Sequence, residues 1–249
     1  MGIRRFGAVN WIGLRALMGR EVRRFASIWT QTVLAPVMTS ALLMLVFWLA
    51  FGARRGTVGG ADFATFLAPG ILIMSVIQNS FANTSSSIIV AKIQGNIVDT
   101  LMPRLSPAEM LAGYALGGIV RGLACAVATG AAIFPFAVVG LAHPLWALAF
   151  VLSGALMLAL MGILAAIYAE KFDQMSAITN FAITPLAFLS GTFYSIAVQP
   201  EPFRSFTQIN PFFYLIDGFR YGDIGIADSD PGFGLGLRSG VNAVLGWIG

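Results

Sequence analysis

Residues 122–169, GLACAVATGAAIFPFAVVGLAHPLWALAFVLSGALMLALMGILAAIYA, form the longest stretch of the sequence without Asp, Glu, Lys or Arg. The stretch is more than twice as long as the roughly 20 apolar residues that a helix needs to cross a bilayer. Glycine and proline within positions 140–144 predict a turn inside it. We therefore expect two membrane-spanning helices here, near residues 111–139 and 145–168.

Three shorter uncharged stretches each predict one more spanning helix. We place these helices near residues 28–51, 64–88 and 176–197. A sixth helix is expected after Arg238, but the 11 residues that follow it cover about half of a ~30 Å hydrocarbon core. The sixth span is therefore expected to be incomplete in this sequence, with only its start at 239–249.

The composition is that of a chain that lies mostly in lipid. Charged residues are 10%, against roughly 25% in an average soluble domain, and the mean hydropathy is +0.82. These values exclude an ordinary cytosolic enzyme, a disordered chain and a nucleic-acid-binding protein. A single cysteine, Cys125, and a single histidine, His143, leave no disulfide and no Cys or His metal cluster, so we expect no bound cofactor. We predict an all-α, polytopic integral membrane protein with one transmembrane domain, residues 1–249.

The first 27 residues carry six arginines, which interrupt any apolar run of signal-peptide length. On a helical wheel one broad face is apolar, and most of the arginines lie opposite. This pattern predicts a helix lying in the membrane interface over 1–27, and the alternative is a topology signal with no defined face. Nine basic residues fall on the side of the N-terminus and five on the other, which places the N-terminus in the cytoplasm.

The predicted cytoplasmic segment 91–109 contains more structure than a connection requires. Apolar residues at helical spacing predict a short helix that Pro103 ends, because the residue before a proline avoids the helical region. Ser106, Pro107 and Glu109 then predict a capping box at the start of the third span. We interpret the segment as a rigid bend between two helices that is suited to transmitting force from a partner. The alternative interpretation is a plain connecting loop.

The predicted outer segment 199–238 is rich in aromatic residues, which concentrate at headgroup depth. Asn210 and Pro211 mark a turn, and Asp217 and Arg220 are three residues apart, close enough to pair on a helix. Two short amphipathic helices that dip back into the bilayer fit this pattern, as does a simple aromatic girdle.

The second span carries polar residues at helical spacing. They are Asn79, Asn83, Ser86 and Ser87, and Gln78 and Ser85 lie beside them. Such a stripe either joins helices or lines a substrate path. Arg121, about three turns into the next span, is a functional candidate unless its side chain snorkels to the interface. Two small-residue pairs on that span, Gly113 with Gly117 and Gly118 with Gly122, predict close helix contacts.

The sequence lacks the residues that two kinds of activity require. No G-x-x-x-x-G-K-[ST] motif is present, so the chain is not expected to bind nucleotide phosphates or to be an enzyme. No acidic residue occupies the middle of a predicted span, which argues against a proton- or sodium-coupled carrier.

Five motifs together resemble the ABC-2 type transport permeases, nearest the short bacterial exporters of the YadH/NodJ-like branch. The motifs are the entry to helix 1 (residues 23–32), the Phe66-Leu67-Ala68-Pro69-Gly70 start of helix 2, residues 91–107, the helix 5 stretch 184–195 with Pro185 and Gly191, and the Asn210-Pro211 to Gly222 region. The resemblance covers nearly the whole chain.

The resemblance implies a six-helix fold, two permease copies and two copies of a separate ATP-binding subunit in the cell inner membrane. It implies that coupling to the ATPase subunit uses Ile93, Gly95, Ile97, Val98, Leu101, Pro103, Ser106, Pro107 and Glu109. The translocation path is expected along Gln31, Gln78, Asn79, Asn83 and Ser86, and the outer re-entrant region at Pro185, Gly191, Asn210, Pro211, Asp217 and Arg220. The alternative functions are an ion-gradient-driven carrier and a non-transporting scaffold. No residue indicates whether the exported substrate is a drug, a lipid-linked glycan or another amphiphile.

Overall fold

The computed structural model describes residues 9–51, 57–58, 61–96, 105–137, 140–196, 199–229 and 236. One short hairpin pairs two strands of two residues each, β1 (Thr57–Val58) and β2 (Ala61–Asp62). The other regular elements in this part of the chain are helices. Four of these helical segments are long and apolar enough to cross a membrane: Thr30–Ala50, Phe63–Ile93, Pro107–Ile133 and Pro144–Tyr168. The protein is therefore an all-α membrane protein, as the sequence predicts.

Helix α1 (Trp11–Ser27) begins at Asn10, whose side chain accepts a hydrogen bond from the Gly13 amide. It runs through one π-helical turn (Thr30–Leu34) into α2 (Ala35–Phe51). The buried side chains of α1 are Leu17, Glu21 and Phe25. The predicted apolar face is thus only partly right, because a carboxylate lies at its centre and the face packs against protein.

Helix α3 (Phe63–Ile93) is the central element, and α2, α4 (Pro107–Ile133) and α5 (Pro144–Tyr168) pack around it. Close approach to α4 depends on its glycines. A Cβ at Gly113 or Gly117 would overlap Leu17 or Glu21 of α1, and one at Gly118 or Gly122 would overlap α5 or α3. The predicted small-residue contacts are confirmed, with one pair on each of two faces.

The fifth predicted span, 176–197, differs from the structure. The helical segment consists of α6 (Phe172–Ile178), a π-helical turn (Thr179–Ile183) and α7 (Thr184–Phe188), and it ends there. The hydroxyls of Ser190 and Thr192 donate to the Ala187 carbonyl, and Gly191 has φ +75°, so the chain leaves the helix nine residues early. Apolar composition alone predicted the longer helix.

The chain then forms α8 (Phe203–Ile209) and α9 (Pro211–Ile224). Two short helices were predicted here, but α9 is not a surface helix. Its Phe212, Phe213 and Phe219 are buried, and it packs against α5 and α3. Only the aromatic side chains of α8, Phe203 and Phe206, are exposed. The three phenylalanines of α9 therefore belong to the core rather than to a girdle, while Tyr214 and Tyr221 are half-buried.

Candidate functional site: a polar cavity and its supporting networks

A cavity of about 520 Å³ lies between two sides. One side is formed by α2 and the π-helical turn before it, and the other by α3, the second π-helical turn and α7. Its polar lining comes from three segments of the chain and consists of Gln31, Thr39, Ser40, Ser75, Gln78, Asn79, Thr179 and Thr184. None of the described residues that line it is charged. A volume between about 300 and 1,000 Å³ is typical of ligand pockets, so the cavity can hold a headgroup or part of an amphiphile.

The structure divides the five predicted path residues among different environments. Gln31, Gln78 and Asn79 line the 520 Å³ cavity. Ser86 lines a smaller adjoining cavity of about 180 Å³ next to α6. Asn83 is fully buried against α1 and accepts hydrogen bonds from Arg24 through its backbone carbonyl and its side-chain oxygen. The stripe of α3 therefore both joins helices and lines a cavity.

The contact between α1 and α3 is a charged network around Glu21, whose side chain is fully buried. Its carboxylate accepts hydrogen bonds from the Ser87 hydroxyl at 2.7 Å and from the Arg24 guanidinium at 3.1 Å. Arg24 also donates to Asn83 and to Ser86. Because Arg24 keeps 30% of its side chain exposed and lines a separate cavity of about 640 Å³, this pair, which we call the α1 pair, has room to rearrange.

The start of α4 confirms the predicted capping box. The Ser106 side chain accepts from the Glu109 amide, and the Glu109 carboxylate accepts from the Ser106 amide at 2.6 Å. The same carboxylate accepts from the backbone amide of Asn10 at 2.7 Å, so it bonds both the N-cap of α4 and the N-cap of α1. One carboxylate thereby joins the start of α4 to the start of α1.

The structure tests only two of the other predicted coupling residues, Ile93 and Gly95. Ile93 is 58% exposed at the end of α3, and Gly95 has φ +73°, a left-handed conformation that ends this helix without strain. Ile97, Val98, Leu101 and Pro103 lie outside the described residues. The predicted short helix is therefore not tested.

The predicted pair on α9 is confirmed, with Arg220 Nη1 3.9 Å from Asp217 Oδ1. We call Asp217 and Arg220 the α9 pair. Both side chains are 1% exposed. Arg220 lies over the Phe66 ring at 3.8 Å and donates to the Gly191 carbonyl, while Asp217 accepts from the backbone amides of residues 228 and 229. Burial lowers the pKa of Arg220 to about 10, so it stays charged at neutral pH.

The remaining predicted residues of this region lie beside the α9 pair. The Asn210 side chain donates to the Leu186 carbonyl at 2.7 Å and caps α9 by accepting from the Phe212 amide. Pro211 takes the first position of α9, and Pro185 lies in α7. These contacts hold α9 against α7 and the chain that follows it.

Three functional candidates were missed at the sequence level. Glu21 looked like an interruption of an apolar face, because its partner Ser87 is far away in sequence. Lys92 was counted only as a topology signal, yet its ammonium donates to the carbonyls of Ala166 and Ile167 and so holds the end of α5 to the end of α3. Asp223 is 1% exposed, and its carboxylate oxygens have no hydrogen-bond partner among the described residues.

The sequence of this chain is similar to a known family and to individual proteins. A family model of the ABC-2 type transporter matches residues 13–223. The inner membrane transport permease YadH of Escherichia coli (strain K12) is 38% identical over 224 residues, which is 88% of this chain and 85% of the relative. Nodulation protein J of Rhizobium leguminosarum bv. trifolii is 26% identical over 229 residues, 86% of this chain and 81% of that protein.

Proposed function

Because the chain belongs to the ABC-2 type transporter family, we propose that it is the membrane-spanning subunit of an exporter driven by ATP that a separate subunit hydrolyses. The observation that carries this proposal is the 520 Å³ cavity with polar, uncharged walls. Inside a bilayer, a polar cavity that no packing contact fills marks a substrate pathway. The substrate on this proposal is an amphiphile, because the cavity walls also include apolar side chains such as Ile71, Met74 and Phe188.

The energy source is proposed to lie in a partner. Permeases of this family work with ATPase subunits. The sequence of this chain has no phosphate-binding loop, so the purified chain alone is expected to hydrolyse no ATP. The segment 91–109 is the proposed contact with the partner, supported by the exposed Ile93 and by the capping box that stiffens the start of α4.

A second copy of the chain is proposed to complete the pathway. The cavity lies at the edge of the subunit beside α2, whose outer side carries exposed apolar residues at helical spacing: Leu34, Met38, Leu42, Val46 and Leu49. Two copies that face each other across α2, α3 and α7 would enclose the cavities. We further propose six spans in each subunit; the sixth, expected to start at 239–249, lies outside the described residues.

The proposed location is the bacterial inner membrane, with the N-terminus in the cytoplasm. The relative from Escherichia coli is named an inner membrane permease. The arginines of α1 support the orientation, since basic residues are retained on the cytoplasmic side.

The test of the proposed function is purification followed by reconstitution. A tagged chain, extracted in mild detergent from its native membrane, should retain a protein with an ATP-binding cassette, identified by mass spectrometry. In liposomes the complex should couple ATP hydrolysis to efflux of a fluorescent amphiphile. Efflux that depends on an ion gradient and not on ATP would establish a carrier instead, and no efflux with any energy source would leave a scaffold.

A single substitution then tests the coupling segment. Ile97→Asp adds a charge to the proposed contact and should weaken binding of the ATPase subunit and abolish efflux, while insertion and dimerisation remain normal. Ile209→Asp makes the same change at a position that is 81% exposed on the opposite side of the proposed membrane, and it should have no effect on binding. Parental efflux by the Ile97→Asp protein would show that coupling occurs elsewhere.

A further inference from the structure

The cavity has an arginine behind one of its walls. Arg121 lies near the middle of α4 and is 9% exposed, and Asn79 lies near the middle of α3. Arg121 Nη2 donates to Asn79 Oδ1 at 3.1 Å. Because each residue is about halfway along its helix, the pair lies deep in the spans, beyond the reach of a side chain that snorkels to the interface.

This arginine lacks a counter-ion in the described part of the chain. The α1 pair and the α9 pair each join arginine to a carboxylate, whereas among the described residues no carboxylate oxygen comes within 4.0 Å of Arg121. Its Nε atom is buried and has no hydrogen-bond partner in the same residues. A buried charge of this kind carries a large desolvation cost, which an opposite charge would offset.

Asn79 connects this charge to the cavity. Its side-chain oxygen is taken by Arg121, and its side-chain nitrogen donates to the Ser75 carbonyl in its own helix. Asn79 and Ser75 both line the cavity, and none of its described lining residues is acidic. A positive charge therefore lies one residue behind the cavity wall, where it is screened less than it would be in water.

We propose that the cavity selects amphiphiles with an anionic headgroup, and that Arg121 sets this preference by acting through Asn79. The proposal rests on the proposed function, since it names the substrate class of the same cavity. A unit charge about 10 Å from a bound headgroup, at an effective dielectric constant of about 20, changes affinity by about tenfold. Arg121 is thus a positioning and specificity residue, not a group in contact with substrate.

The test uses three probes with one dodecyl chain and different headgroups. They are dodecyl phosphate, dodecylphosphocholine and dodecyltrimethylammonium. Binding is measured by titration calorimetry to the purified chain in phosphatidylcholine nanodiscs, and inorganic phosphate serves as the headgroup alone. The parent should bind dodecyl phosphate about tenfold or more tightly than either other amphiphile, and inorganic phosphate weakly.

Three variants separate charge from packing. Arg121→Gln should remove the preference for dodecyl phosphate, and Arg121→Lys should keep most of it. Asn79→Asp supplies the missing counter-ion with almost no change of shape, so it too should remove the preference, and it serves as the test if Arg121→Gln does not fold. Arg15→Gln, which removes an exposed arginine from α1, should leave the preference unchanged.

The outcomes decide the inference separately from the proposed function. An equal affinity of the parent for all three amphiphiles would overturn it, as would a tenfold preference that persists in Arg121→Gln and Asn79→Asp. Tight binding of inorganic phosphate would also overturn it, because an anion site elsewhere would then explain the preference. ATP-driven efflux without headgroup selectivity would leave the exporter intact and end this inference alone. Headgroup selectivity in a chain that recruits no ATPase subunit would support this inference and contradict the proposed exporter.

Discussion

The α1 pair and the α9 pair share a sequence pattern and differ in everything around it. In each, an acidic residue precedes an arginine by three positions on one helix, Glu21 with Arg24 and Asp217 with Arg220. The partners of the α1 pair are Arg20 of α1 and, on α3, the hydroxyls of Ser86 and Ser87 and both the side chain and the backbone carbonyl of Asn83. Arg24 also borders a cavity. The partners of the α9 pair include the backbone of Gly191 and of residues 228 and 229, and both side chains are 1% exposed.

The same spacing therefore gives an ion pair that borders a cavity in one region and an almost completely buried pair in the other. An arginine that is partly exposed beside a cavity can exchange partners when a helix shifts, whereas an enclosed pair cannot do so unless the surrounding helices separate. We infer that α1 can move against α3 while α9 stays fixed on α5. A transport cycle needs both properties in one subunit.

The largest expected effect comes from Arg220→Met. The substitution leaves Asp217 buried without its cation and removes the bond to Gly191, and the loss of one partner of a buried pair costs about 3–5 kcal/mol. The melting temperature in detergent should fall sharply, with poor yield. Arg204→Met, at an exposed position of α8, is the control and should melt like the parent. Similar melting of both variants would show that the α9 pair is not a rigid anchor.

The next prediction sharpens the contrast within α9, where the buried carboxyl group of Asp223 has no hydrogen-bond partner among the described residues. Burial raises its pKa to about 7, above the value of about 3.9 expected in the unfolded chain. The native state therefore holds its proton more tightly, and stability falls as the pH rises from about 4 to above 7. Asp223→Asn should raise the melting temperature at pH 8 and change it little at pH 4, because the buried carboxyl group loses its proton only in the higher range.

The control for Asp223→Asn is Asp173→Asn, at an exposed carboxyl group of α6. It should melt like the parent at both pH values. A melting curve of Asp223→Asn that tracks the parent from pH 4 to pH 8 would show that Asp223 ionises as an ordinary carboxyl group.

Local features of this protein were predictable from sequence because neighbouring residues cause them. The capping box at Ser106 and Glu109 and the pairing of Asp217 with Arg220 follow from spacings of three residues. The spanning helices followed from charge-free length, which is why the prediction failed where a helix ends within an apolar stretch. The side chains that end α7 early, on either side of Gly191, are polar but uncharged.

Features that depend on distant partners could not be predicted. Glu21 is buried because Ser87 of another helix donates to it, and Asn79 faces a cavity because α7 lies opposite. That Arg121 bonds Asn79 and has no carboxylate beside it in the described part of the chain is a property of packed helices. Sequence spacing identified these residues as polar, and only packing separates those that join helices from those that line a cavity.

A smaller effect is expected for Glu21→Gln in the α1 pair. The amide keeps an acceptor for the Ser87 hydroxyl, and Arg24 retains Asn83 and contact with solvent. The cost should be about 1–2 kcal/mol, near that of one charged hydrogen bond. Glu170→Gln at an exposed position is the control. If Glu21→Gln lowered the melting temperature as much as Arg220→Met does, the two pairs would be equally rigid and the comparison would fail.

The smallest effect on stability, with a distinct effect on function, is expected for Ser106→Ala combined with Glu109→Ala. The double variant loses the cap of α4 and the bond from Asn10, which together are worth about 0.5–2 kcal/mol for a cap of this kind. On the proposed function, the start of α4 would then no longer transmit movement to α1. The ATPase subunit should stay bound and hydrolyse ATP, while efflux per ATP falls. Measuring hydrolysis and efflux side by side in liposomes distinguishes this outcome from a simple loss of stability, in which both rates fall together. Such a parallel fall would make the Glu109 junction a structural cap only, and the mobility assigned to the α1 side would need another origin.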